Sequence, residues 1–476
     1  MSDFPSPEPT SSAVSPPRSS LIDATTSARV RKAAAALVDA LRDEASKQAR
    51  EIDGTKDMLH ALAEIGAIRA QPAALPLLSA GAGEGASVVL ADGRPVLDLV
   101  SGIGPYAFGH DDQDLLETAA IAAAKDVAFQ GHVLPGPEYL KLSQMLARLA
   151  GPRLEHVWLS LSGSMANENA WKILLQKKAP AARCLAFEHS FHGRTLAMAE
   201  LTDRPEYREG LPPMNFVDRI PFFDPTDPES TQKSVAALEQ AIAESPGQHA
   251  AMCFELIQGE GGFNDAPPEF FRALMAICKN AGIAVWLDEI QTFGRTEGLF
   301  AFRTLGLEDL VDIVTVGKIL HGSAAIFTAD LRPKPKLVAG TWAGASVGMA
   351  MGARILERLE NEGYLGDSGK IAQLTENIDE AFEGLKSRLP GVVTARSGLG
   401  AMQAFTAWNG GPDIATAIVE VALEEGALLQ TAGSSPMKIR LLPPLNLTAD
   451  ELTRGFAAIE RALRRVATRF NLPVGD

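Results

Sequence analysis

Lys318 follows the apolar, β-branched run "VDIVTVG", and more apolar residues come after it. Most lysines are solvated, so one at the end of a buried strand needs a reason. It can snorkel its ammonium to solvent. Alternatively, desolvation can hold the amine neutral and nucleophilic, ready to form a Schiff base. Asp288 ends a second run, "IAVWLDE". A carboxylate placed there needs a partner: a salt bridge, a helix end, or a cationic ring nitrogen. Gln291, in "IQTFGRT", can donate to a second substituent of such a ring. Gly163 and Ser164 open a helix after "HVWLSLS". Free N–H groups and the positive helix end suit a phosphate there, though a plain tight turn has the same residues. Taken together, an amine nucleophile, a carboxylate for a ring nitrogen and a phosphate cradle describe one cofactor, pyridoxal 5'-phosphate.

The elements that must position these groups are legible as a pattern. The short runs "HVWLSLS", "RCLAFE", "AAMCFELI", "IAVWLDE" and "VDIVTVG" alternate with helical stretches. This predicts an α/β fold with a mostly parallel central sheet covered by crossover helices. Ligands of such sheets bind beyond the carboxyl ends of the strands. Each run leads into polar or glycine-rich residues, so the fold brings five chemical segments to one rim. Ahead of them, "ARVRKAAAALVDALRDEASKQAREI" has helical spacing. "GASVVLADGRPVLDLVSGIG" reads as two strands around a turn at Asp92-Gly93.

The bulk numbers narrow the partners. The chain has 476 residues and a formal net charge of −15, which argues against nucleic acid or an anionic membrane surface. Cys184, Cys253 and Cys278 have neither CxxC nor metal-ligand spacing, so no metal site is expected, and they read as reduced, buried thiols of a cytoplasmic protein. Residues 1–27 are rich in Pro and Ser and read as a disordered tail rather than a targeting segment. The run Leu337 to Ala353 is made of small residues and lacks the roughly 20 strongly apolar residues of a membrane span. Within it Gly344, Gly348 and Gly352 recur every fourth residue, which predicts one helix face packed closely on a neighbour.

From about Gly85 to about Ala458 the chain resembles the class III, ornithine/GABA-type, pyridoxal-phosphate aminotransferases of fold type I. The resemblance rests on "DGRPVLDLVSGI", "SGSMANENAWK", "FHGRT", "QGEGG", "LDEIQTFGRT", "LFAF", "DIVTVGK", "GTW" and "IRLLPP", in that order. It implies a large cofactor-binding domain over 96–345 and a smaller α+β domain made from 28–95 and 346–476. It further implies that Lys318 is the Schiff-base lysine and proton shuttle, and that Asp288 partners the ring nitrogen. Gln291 then meets the cofactor's 3-oxygen, Gly163 and Ser164 cradle its phosphate, and Phe191 stacks on its ring. Thr341 would reach the phosphate of a second subunit, making a homodimer with shared active sites. Arg194 resembles the residue that binds the carboxylate of an ω-amino acid, and Arg440 the one that binds an α-carboxylate. Glu260 resembles a gate that pairs with Arg440 when no α-carboxylate is present. The implied reaction is ping-pong transfer of an amino group from an amine or ω-amino acid to an α-keto acid, pyruvate or 2-oxoglutarate. Racemases, epimerases and aminomutases of the same family carry the same ligands and form the alternative.

The pattern also departs from the family. Met165 stands where Glu is usual, "QTFGRT" is one glycine short, "GKILHGSAAIF" replaces a glycine-rich segment, and "GTWAGAS" replaces "GTFGGNP". These changes mark a divergent subgroup. Ile103, in "VSGIG", falls where GABA-type members have isoleucine, which leans toward an unbranched ω-amine.

Overall fold

The computed structural model describes residues 28–48, 54–73, 77–125, 128–131 and 133–475. The tail expected over 1–27 lies outside the described residues. All five runs form strands: His156–Ser160, Arg183–Phe187, His249–Phe254, Ala284–Glu289 and Ile313–Val316. Two further strands, Val217–Ile220 and Ser323–Phe327, bring the central sheet to seven among the described residues. Across the sheet the order is His156–Ser160, Ser323–Phe327, Ile313–Val316, Ala284–Glu289, His249–Phe254, Arg183–Phe187 and Val217–Ile220. Ser323–Phe327 runs antiparallel to both its neighbours, and the remaining pairs are parallel. Every residue of Ala284–Glu289 and of His249–Phe254 is buried. Burial on both faces is why these strands read as unbroken apolar runs without alternation.

Helices cover the sheet through apolar stripes. Pro268–Asn280 buries Phe270, Phe271, Leu274, Met275 and Cys278, the 3.6-residue period of an amphipathic helix. The Asp92-Gly93 turn joins Ser87–Leu90 to Pro95–Asp98, with Gly93 at φ 85 where a side chain would be strained. A third strand, Ser79–Glu84, pairs with Ser87–Leu90. On the far side, Leu97 pairs in parallel with Ala427, tying N-terminal strands to the C-terminal part of the chain. A separate sheet of Val393–Leu399, Met402–Ala407, Lys438–Leu441 and Gln430–Ala432 carries Arg440.

The glycine stripe is shorter than its spacing suggested. The helix is Ser346–Asn361, so Gly344 precedes it; its carbonyl instead accepts from Gln130 N at 2.7 Å. Gly348 and Gly352 do lie on the helix. A Cβ on Gly348 would stand 2.5 Å from the His321 carbonyl oxygen, and one on Gly352 2.5 Å from that of Leu320. The helix therefore braces the short turn Lys318–Leu320.

Candidate active site

A cavity of about 380 Å³ opens at the carboxyl edge of the sheet, lined from all five strand ends. Ser162, Gly163 and Ser164 come from the first, Phe191 and His192 from the second, Glu255 and Glu260 from the third. Asp288 and Gln291 come from the fourth and Lys318 from the fifth. The helix Gly163–Lys178 points its N-terminus at this space, and the Ser162 hydroxyl accepts from Met165 N at 3.3 Å.

Asp288 is held from three sides. Its Oδ2 accepts from Asn167 Nδ2 at 2.7 Å and lies 2.9 Å from His192 Nδ1. Its Oδ1 accepts from Ile290 N at 3.0 Å. Asn167 is fixed in turn, since its Oδ1 accepts from the Thr315 hydroxyl at 2.6 Å and its Nδ2 also reaches the His192 carbonyl at 2.8 Å. Sequence reasoning named neither Asn167 nor His192. Both lie inside quoted segments, and the available signal was a polar residue between Ala166 and Ala170 on a helix that opens at the rim. Glu255 was also missed. It accepts from Phe191 N at 2.8 Å and Gly259 N at 3.0 Å, so it fixes two cavity-lining segments against each other. Burial first, then the nearby Asp288, pushes its carboxyl well above the usual range.

Lys318 sits at φ 47 and His321 at φ 51, left-handed conformations unusual for side chains of this size. Such strain clusters at functional sites. Desolvation lowers the Lys318 ammonium pKa to about 8; Glu260 opposes the shift, while Arg440 and Arg295 add to it. The lysine is flanked by the turn Ser101–Gly104, four consecutive residues at positive φ. Asp98 ties this turn, accepting from Val100 N at 3.0 Å and Gly102 N at 2.9 Å. Arg295, fully buried, donates to the carbonyls of Gly104 at 2.7 Å and Pro443 at 2.6 Å.

The residues expected to meet substrate divide among different places. Glu260 lines the cavity of Lys318 and pairs with Arg440 Nη1 at 2.6 Å. Burial raises the Glu260 pKa, but Arg440, helped by Lys318 and Arg204, leaves the carboxyl below its ordinary value. Arg440 and Ile103 line a second cavity. Arg194 is exposed, its guanidinium 3.8 Å from the centre of the Tyr207 ring, and it lines neither cavity. Arg204 instead reaches this region, donating to the Glu260 carbonyl at 2.7 Å. Thr341 is exposed and outside the cavity of its own chain.

Residues 69–463 match the family model described as aminotransferase class-III. The chain belongs to the class III aminotransferase family. An acetylornithine aminotransferase of Thermosynechococcus vestitus is 31% identical over 400 residues, covering 81% of this chain and 92% of the relative. One from Xanthomonas campestris is 34% identical over 396 residues, covering 80% and 91%. A solved lysine aminotransferase from M. tuberculosis superposes with a TM-score of 0.76 at 23% identity, covering 85% of this chain and 99% of that one, which speaks to the fold. The protein is thus a pyridoxal-phosphate-dependent aminotransferase of fold type I.

The residues present fit that cofactor. Gln291 Nε2 is buried with no protein partner, so it is free to donate to an acceptor in the cavity. The cavity offers a carboxylate, an amine and a helix N-terminus on separate walls. When bound, pyridoxal phosphate supplies a carbonyl that condenses with amines and a protonated ring that accepts an electron pair. Asp288 would be the residue to hold a ring proton, and the fold keeps Lys318 largely enclosed with a depressed pKa. A neutral Lys318 Nζ can then take up and return a proton.

Proposed function

We propose that the enzyme takes its amino group from an amine or ω-amino acid and delivers it to an α-keto acid, pyruvate or 2-oxoglutarate, in two half-reactions. The observation that carries this reading is the Glu260–Arg440 pair beside Lys318. One pocket must accept a donor without an α-carboxylate and an acceptor with one. Arg440 is nearly fully buried, and a buried guanidinium left alone is costly. Glu260 neutralises it while the donor reacts, and the acceptor's carboxylate takes its place by bidentate pairing. Relatives named acetylornithine aminotransferase support the donor class, because acetylornithine carries its free amine at the far end of its chain.

In this reading Asp288 holds the ring nitrogen, Gln291 the 3-oxygen, Phe191 the ring face, and Gly163 and Ser164 the phosphate. Lys318 binds the cofactor and moves the proton. Arg194 leaves the Tyr207 ring to meet a distal carboxylate. Thr341 serves the phosphate site of a second copy in a homodimer. Two observations support that assembly: Thr341 is exposed, and the neighbouring Phe129 and Trp342 rings, 42% and 56% exposed, meet at a tilt with their centres 4.5 Å apart. A cytoplasmic location accords with the free, buried Cys184, Cys253 and Cys278.

The test is a donor screen with pyruvate and 2-oxoglutarate, following conversion of the cofactor to its amine form. Conversion by ω-amines and return by a keto acid are expected. Turnover of a single amino acid with no keto acid would overturn the reading in favour of an isomerase.

A further inference from the structure

A carboxylate displaced from Arg440 needs a new partner. The Glu260 side chain is only 25% exposed, and burial acts against its charge. Water alone is a poor substitute there for a lost guanidinium. Three cations act on this carboxyl: Arg440, Lys318 and Arg204. Arg440 is taken by the incoming α-carboxylate. Lys318 is unsuited, because a carboxylate held against it favours its charged form, and its part is to take up a proton as a neutral amine.

Arg204 is placed for the task and largely uncommitted. Its Nη2 donates to the Glu260 carbonyl at 2.7 Å. Its Nη1 lies 4.0 Å from Oε1 of the exposed Glu206, the outer limit of an ion pair. Its Nε is buried with no hydrogen-bond partner among the described residues. Most of its N–H donors are therefore free to turn to a carboxylate. The backbone on both sides is fixed. Asp203, next in the chain, accepts from His189 N at 2.7 Å and donates its own N–H to the Ser190 carbonyl at 2.9 Å. The Glu260 carbonyl also accepts from Gly433 N at 2.8 Å. A guanidinium bonded to the carbonyl of a residue lies within reach of that residue's own carboxylate by side-chain rotation alone.

We propose that Arg204 is the receiving partner of the gate: when an α-carboxylate takes Arg440, the Glu260 carboxylate turns to the Arg204 guanidinium. Each charge is then paired in both half-reactions. The inference rests on the gate proposed above and names the residue that stabilises its open state. Arg204 acts through Glu260, so it is a positioning residue and touches no substrate.

The experiment uses enzyme loaded with the cofactor in its amine form and measures propanoate binding by calorimetry. Propanoate offers a carboxylate to Arg440 without turnover. Stopped flow follows the half-reactions with pyruvate and with 5-aminopentanoate. Arg204→Met should weaken propanoate binding and slow the pyruvate half about tenfold, the worth of one charge-assisted bond, and should spare the 5-aminopentanoate half. Arg204→Lys keeps the charge and should recover most of the loss. Glu260→Ala should tighten propanoate binding, and adding Arg204→Met to it should change nothing further. Melting curves identify a variant that fails to fold, and Arg204→Gln then replaces it. Propanoate binding decides the question if 5-aminopentanoate proves unreactive. An Arg204→Met loss that persists in Glu260→Ala, or that falls equally on both halves, would overturn the role of Arg204 and leave the gate standing. Glu260→Ala without tighter propanoate binding would overturn the gate and this proposal with it.

Discussion

Asn167 donates its amide to Asp288 Oδ2 over 2.7 Å, and His192 Nδ1 approaches the same oxygen at 2.9 Å. One carboxylate oxygen is thereby saturated by the protein. Oδ1, whose one partner is Ile290 N at 3.0 Å, keeps capacity for a proton on a ring nitrogen. Asp288→Asn keeps the shape and loses the charge that stabilises that proton. We expect kcat to fall about 10²–10⁴-fold while the melting temperature moves little. Asn167→Ala should lower kcat by about tenfold and shift the cofactor's absorption, because Asp288 is then free to turn. Wild-type kcat in Asp288→Asn with a normal cofactor spectrum would remove Asp288 from this role.

The Lys318 amine carries a stability signature of its own. Its folded pKa, about 8, lies below the ordinary 10.5. Below pH 8 the ammonium is charged in both states and its burial weakens the fold. Between these values the unfolded chain binds more protons, so stability rises with pH. Lys318→Met should therefore stabilise the cofactor-free protein by about 1–3 kcal/mol at neutral pH, and this gain should fade as pH approaches 10.5. Urea titrations at several pH values measure it. A variant no more stable than wild type at neutral pH would mean that the lysine is solvated.

The turn that presents Lys318 depends on a glycine far away in sequence. Gly352→Ala places a methyl against the Leu320 carbonyl, where its Cβ would be only 2.5 Å away. Overpacking of this kind costs about 1–3 kcal/mol. The turn must shift, so cofactor retention on dialysis should fall together with stability. Gly66→Ala, inside the helix Gly54–Arg69 with its nearest new neighbour at an ordinary 3.4 Å, is a control for glycine loss without a clash.

The proposed gate, Glu260 paired with Arg440, makes the two half-reactions respond differently to mutation. Glu260→Ala should speed the half-reaction with glutamate or alanine relative to the ω-amine, because no carboxylate needs displacing. Arg440→Ala should weaken keto acid use about 30-fold or more, the range for a lost charge-assisted pair in a buried site, while sparing the ω-amine. Stopped-flow spectra resolve each half. Equal losses in both halves for both variants would make the pair structural.

The strands that carry the chemistry were legible because they are buried on both faces, so Ala284–Glu289 and Ile313–Val316 read as apolar runs. Val217–Ile220 was not, because "VDRI" fills an edge strand with charges that are satisfied sideways. Asp218 meets Arg183 Nε at 2.8 Å and His249 Nε2 at 2.7 Å. Ser323–Phe327 was not named either, because "SAAIF" opens with three small residues that carry little strand preference. Within the site, Lys318, Asp288 and Gln291 announced themselves as polar residues at strand ends. Asn167 and His192 did not, because their work is to hold Asp288, and that contact spans more than a hundred residues for one and nearly as many for the other. The placement of Arg194 over Tyr207, and of Ile103 in a different cavity from Glu260, depends on packing between distant segments. No local spacing encodes it.

The most direct test is to find which amine holds the cofactor. Purified enzyme loaded with pyridoxal phosphate is reduced with borohydride, digested and mapped by mass spectrometry. The account predicts one modified peptide, carrying the reduced cofactor on Lys318, and no such label in Lys318→Ala. A label on another lysine, or none on Lys318 in enzyme that turns over, would contradict it.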